Sequence, residues 1–128
     1  MERHEVEALL DAYYKGVSNQ SVGEIPLADD VSFVGPRMGP FNGEEAVRAM
    51  LEQVSMLFTA FTITRGRHVV DGDTAVLFLD FSLPDGRHFE LADVFTLRDG
   101  AFASIRPYFD PGLLQDLGMA GAPRETTN

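Results

Sequence analysis

Asp93 stands where an apolar strand face should continue: Phe89, Leu91, Asp93, Phe95 and Leu97 alternate with His88, Glu90 and Thr96. A carboxyl on that face must be partnered or protonated. Burial disfavours its charged form and raises its pKa, which makes an aspartate a usable general acid, general base or hydrogen-bond donor near neutral pH. The other reading is a buried Asp satisfied by an Arg, a Tyr or a backbone N–H. A second carboxyl, Asp80, sits among large apolar groups in Val76-Leu77-Phe78-Leu79-Asp80-Phe81-Ser82. Two carboxyls in one apolar cavity push their pKa values apart and supply one acid and one base. At a sheet edge, Asp80 would instead pair with Arg65, Arg67 or Arg87. His68 has the unperturbed pKa of a general base, set against a surface reading beside its two arginines. His88 follows Gly86-Arg87 at a turn, and Asp110 before Pro111 reads as a helix cap.

The elements that must position these groups follow from periodicity. Val6, Leu9, Leu10, Tyr13 and Val17 recur at helical spacing and predict an amphipathic helix over residues 4–17, with Tyr13 on its apolar stripe and Tyr14 at the rim. Ser21 and Glu24 resemble a capping box opening a short turn that Pro26 ends. Residues 31–34 read as a brief strand. Gly35, Pro36, Gly39, Pro40 and Gly43 read as a loop, with Asn42 as N-cap and Glu45 as its partner for a second helix carrying Val47, Met50, Leu51, Val54, Leu57 and Phe58. From Phe61 the period becomes two. Residues 61–70, 75–83, 88–97 and 101–109 are four strands joined by Asp71-Gly72-Asp73, Pro84-Asp85-Gly86 and Arg98-Asp99-Gly100, an antiparallel meander. Helices first and a curled sheet after them make an α+β layout. A last short helix from Asp110-Pro111 through Leu117 would end the domain, taken as residues 1–117, with a loose tail over 118–128.

Composition narrows the function classes. The chain has 128 residues, enough for one domain with a full core, and 45% hydrophobic content. It has no Cys, so disulfides, cysteine-ligated zinc and a thiol nucleophile are excluded. Ten basic against 20 acidic residues leave a net charge of −10, which repels phosphate backbones and anionic lipid. Arg65, Arg67 and His68, the nearest thing to a basic patch, should point to opposite strand faces as a solvated edge. No apolar run approaches the roughly 20 residues of a membrane span, and residues 1–10 are acidic where a signal peptide is basic, then apolar. The expectation is a soluble, unprocessed, cytoplasmic protein that binds neither nucleic acid nor membrane. Apolar residues on both faces of residues 75–81 add a homodimer through the sheet face.

Three segments carry a resemblance: Leu27-Ala28-Asp29-Asp30-Val31-Ser32-Phe33 before the Gly/Pro loop, Asn42-Gly43-Glu44-Glu45-Ala46-Val47, and Ala92 to Gly100 leading into Ile105-Arg106-Pro107-Tyr108-Phe109-Asp110. Together they resemble the nuclear transport factor 2-like superfamily, in its SnoaL-like and ketosteroid-isomerase-like branch, over about residues 5 to 115. The resemblance implies a cone, a strongly bent sheet wrapped around helices, with a deep apolar pocket. It implies an oxyanion-binding tyrosine and a protonated carboxylic acid at positions that look like Tyr13 and Asp93, two neutral donors for one carbonyl oxygen. It turns Asp80 toward the pocket. The branch's base would fall at Gly35, which leaves Asp80 or His68 as proton acceptor. The limonene-epoxide-hydrolase triad would fall near Asp80, Ser82 and Pro107 and is missing. Phe33, Phe58, Phe78, Ser82, Phe95, Pro107 and Phe109 are the expected pocket lining; Met38, Met50 and Met56, like the Phe residues, are expected to be mostly core, with some also lining the pocket. The implied activity is cofactor-independent and metal-independent acid–base chemistry, of isomerase or cyclase type, on an apolar carbonyl- or epoxide-bearing metabolite such as a polyketide or terpenoid intermediate. The competing class is a non-catalytic carrier or dimerising scaffold of the same fold.

Overall fold

The computed structural model describes residues 1–112. Helix α1 (Arg3–Ser18) buries Val6, Leu9, Leu10, Tyr13 and Val17, the stripe its spacing predicts. A 3-10 turn (Val22–Glu24) follows, then strands β1 (Leu27–Gly35) and β2 (Met38–Asn42), helix α2 (Glu44–Leu57), a second 3-10 turn (Phe58–Ala60), and strands β3 (Thr62–Asp71), β4 (Thr74–Ser82), β5 (His88–Arg98) and β6 (Ala101–Tyr108). The six strands form one sheet in the order β2-β1-β6-β5-β4-β3. Only β1 and β6 run parallel; the last four strands form the expected meander. The curved, unclosed sheet holds both helices, giving the cone-shaped α+β architecture. No helix among the described residues is long and apolar enough to cross a membrane.

Local chemistry departs from expectation in four places. The Gly/Pro stretch holds strand β2, which pairs with a β1 of nine residues through Phe33↔Phe41 and Gly35↔Met38. An edge strand tolerates Pro40 because its N–H side needs no partner. Helix α2 is capped by Gly43 at φ 92°, not Asn42; Gly43 N–H donates to Val31 O at 2.7 Å and Gly43 O accepts from Val47 N–H at 3.0 Å. Ser21 makes no side-chain cap either, its hydroxyl donating to Lys15 O at 3.3 Å. In β3 a bulge between Arg65 and His68 inserts one extra residue, so both side chains lie on the helix-covered face, while Arg67 on the other face lies 4.9 Å over the Phe78 ring. The Asp99-Gly100 turn has φ of 53° and 76°, the paired positive values that a two-residue hairpin turn needs. Pro111 and Gly112 begin a helical turn, with Asp110 Oδ1 accepting from Gly112 N–H at 2.9 Å. The rest of the expected last helix and the tail lie outside the described residues.

The core forms where the helices meet the concave sheet face. There Ala75, Leu77, Leu79 and Phe81 on β4 stand opposite Phe95, Asp93, Leu91 and Phe89 on β5. At the outer end Phe81 and Phe89 stack with ring centroids 5.0 Å apart and Phe61 meets both edge-on.

Candidate functional site

The register of β4 and β5 lays the site out as a ladder on the concave face. Its rungs are Phe81/Phe89, Leu79/Leu91 and Leu77/Asp93, and two residues per rung put Asp93 about 13 Å from Phe89. The helices do not fill the space above this ladder. A pocket of about 50 Å³ remains, several times the minimum that holds one water. Leu51, Val54 and Phe58 line it from α2 and the turn that follows, and Phe33, Met38, Pro107 and Phe109 line it from the β2-β1-β6 side of the sheet. Among the described residues, Tyr13 and Asp93 are the lining residues with polar N or O side-chain atoms.

Asp93 is only 3% exposed. Burial pushes its carboxyl up to about 7, with no cation or hydrogen bond from the described residues offsetting the rise. Its cross-strand neighbours, Leu77 on β4 and Pro107 on β6, offer no counter-charge. Tyr13 reaches the same end of the pocket from α1. Its ring packs against Phe95 at 4.8 Å and Phe102 at 5.6 Å, and burial, then the Asp93 carboxylate, push the phenol well above its usual pKa. Tyr13 is therefore a permanently neutral O–H, while Asp93 exchanges its proton near neutrality. One fixed donor and one titrating carboxyl at the end of an apolar cavity can hold a ligand oxygen and move a proton beside it.

The other expected site residues go elsewhere. Asp80 lies on the outer sheet face, 38% exposed at its side chain, with Oδ1 3.4 Å from His88 Nδ1. Strand alternation forces this, because Leu79 and Phe81 hold the inward positions. The two carboxyls therefore share no cavity. Phe78 and Ser82 have the same parity as Asp80 and also leave the pocket, while Phe95 lies in the core against Tyr13 without lining it. His68 lies on the inward face at the edge strand: its Nε2–H donates to Glu7 Oε2 at 2.7 Å and Arg65 Nη1 donates to its Nδ1 at 3.4 Å. With Arg3 3.4 Å from Glu7, this chain ties α1 to β3 and holds the Glu7 carboxyl below its usual pKa. His68 is not part of the pocket lining.

Phe33, Phe58, Pro107 and Phe109 do line the pocket, and so do Met38, Leu79, Phe81, Phe89 and Leu91. The strand residues were recoverable from alternation once one β4 face was known to be inward. Met38 was not, since its strand has no periodic signal. Among the described residues, no three His, Cys, Asp or Glu side chains gather as metal ligands would.

Comparison with solved structures bears out the architecture. A designed protein with a curved β-sheet is 16% identical and covers 94% of this chain and 99% of its own, with a TM-score of 0.74. TerC, co-crystallised with polyporic acid, is 20% identical over 88% and 96%, with a TM-score of 0.70. A proposed isomerase of the SnoaL-like family from Agrobacterium tumefaciens is 17% identical over 84% and 98%, with a TM-score of 0.69. No curated protein matches in sequence. At these identities the likeness is one of fold, and one fold hosts many activities. The family model for the SnoaL-like domain matches residues 4–105, and the chain belongs to that family.

Proposed function

We propose that the protein is a cofactor-independent acid–base enzyme of isomerase or cyclase type, acting on a small apolar carbonyl- or epoxide-bearing metabolite such as a polyketide or terpenoid intermediate. The observation that carries this reading is the Asp93 carboxyl, uncompensated among the described residues, beside Tyr13 in the lining of an apolar pocket. With Asp80 and His68 outside, Asp93 alone transfers the proton. As the carboxylate it takes a C–H proton next to the substrate carbonyl. The C–H electron pair forms a C=C bond as the C=O π pair moves onto oxygen, and the resulting enolate accepts the Tyr13 O–H. The Asp93 acid then returns the proton to another carbon of the same skeleton, so atoms and electrons balance. Likeness to a proposed isomerase of the family supports the class.

A second reading, a ligand carrier, is favoured by the lack of a separate base among the described lining residues. Deuterium uptake from D₂O into compact cyclic ketones and enones, followed by NMR, separates the two. An enzyme accelerates exchange; Asp93→Asn lowers the rate by about 10²-fold or more, and Tyr13→Phe by a similar factor. Binding without exchange supports the carrier.

A further inference from the structure

We propose that the same cavity takes compact apolar amines, binding them as ammonium ions with the Asp93 carboxylate as counter-ion. The inference shares the pocket with the proposed reaction but not its chemistry, so either survives failure of the other. It rests on what surrounds the carboxyl. Asp93 is only 3% exposed, and among the described residues no Arg, Lys or His lines the cavity. From α1 it faces Tyr13, the one titratable neighbour among the described residues; β4 presents Leu77 and Leu79, β6 Pro107, α2 Leu51 and Val54, and β1 and β2 Phe33 and Met38. A carboxyl walled in this way is cut off from bulk solvent, and no charged side chain among the described residues pairs with it. Folding has already met the cost of that burial, and in so apolar a surround attraction to an incoming cation is several times what it is in water.

An alkylammonium suits this carboxyl. It holds its own proton to about pH 10, as a lysine side chain does, and so enters charged at every pH where Asp93 ionises. Its N–H groups donate to the carboxylate and to the Tyr13 hydroxyl oxygen, while the hydrocarbon body lies along the Leu79/Leu91 rung toward Phe81 and Phe89. The chain's net charge of −10 also favours the approach of cations.

The proton linkage distinguishes this ligand class from oxygen ligands. A carbonyl or enolate oxygen is held best when Asp93 is protonated, so its affinity falls as pH rises through about 7. The ammonium needs the carboxylate, so its affinity rises over the same interval, and below it binding expels the Asp93 proton.

Calorimetry on the wild-type chain with benzylamine and benzyl alcohol, at pH 6 and pH 8, tests the proposal. Benzylamine should bind about 10-fold tighter at pH 8, and at pH 6 release close to one proton, read from buffers of different ionisation enthalpy. Benzyl alcohol should show neither effect. Asp93→Asn, checked by circular dichroism, should keep alcohol binding and lose at least 10-fold in amine affinity. No benzylamine binding at pH 8, binding weaker than that of the alcohol, or amine affinity unchanged in Asp93→Asn overturns the proposal. If the variant does not fold, proton release by the wild type decides alone: its absence at pH 6 overturns the proposal.

Discussion

The Asp93 carboxyl makes the fold sensitive to pH in one direction. Its folded pKa of about 7 lies above the unfolded value near 3.9, so the native state holds the proton more tightly. The resulting stability is fully present below pH 4 and is lost as pH rises through 7. Of a total on the order of 4 kcal/mol, about 3 kcal/mol should disappear between pH 5 and pH 9. Asp93→Asn removes the titration and keeps the shape. In urea unfolding, the stability of wild type relative to this variant should therefore fall by about 3 kcal/mol over that interval. Parallel curves would mean that the carboxyl is ionised throughout. Tyr14, one residue from Tyr13, shows how a single step round the helix changes a role: its hydroxyl donates to Ile63 O at 3.1 Å and fastens α1 to β3. Tyr14→Phe should cost about 1 kcal/mol by the same measurement.

At the level of elements, β2 decides the shape of the pocket wall, because it carries Met38. Gly39 makes that strand possible. It sits at φ 86°, and a Cβ there would lie 2.6 Å from Phe33 O. Gly39→Ala meets both left-handed strain and a backbone clash, and should cost more than about 2 kcal/mol in denaturant unfolding. A change below about 0.5 kcal/mol would show that β2 can move away freely. Why β2 escaped the sequence is physical: Met38-Gly39-Pro40-Phe41-Asn42 has neither alternation nor β-propensity, and its partner β1 supplies the order. The β3 bulge is equally silent in sequence, yet it turns His68 toward Glu7.

For the whole molecule, the outer sheet face carries the next consequence. Val69, Val76 and Val94 line up across β3, β4 and β5, and Phe78, Ala92 and Tyr108 across β4, β5 and β6. Val69 is 47% exposed and Tyr108 57%. We propose that a second copy covers this band. Sedimentation at micromolar concentration should find a dimer, and Val76→Lys, in mid-band, should make it a monomer with the pocket intact. Wild type sedimenting only as a monomer would refute the dimer.

Sequence by itself determined the two helices, the four-strand meander and the inward face of β5, because each rests on a local period or on hairpin chemistry. It placed Asp93 inward because only one face of its strand is continuously apolar. On β4 that signal vanishes: Val76 and Phe78 are as apolar as Leu77 and Leu79, and residue types could not say which row the core would take. Pairing with β5 through Leu77↔Asp93 and Phe81↔Phe89 took Leu79 and Phe81 into the cavity and sent Asp80 to the surface. The solitude of Asp93 is likewise a tertiary fact, since a carboxyl's partners depend on which strands and helices close around it. Periodicity chooses a face within one strand; only assembly decides what stands opposite.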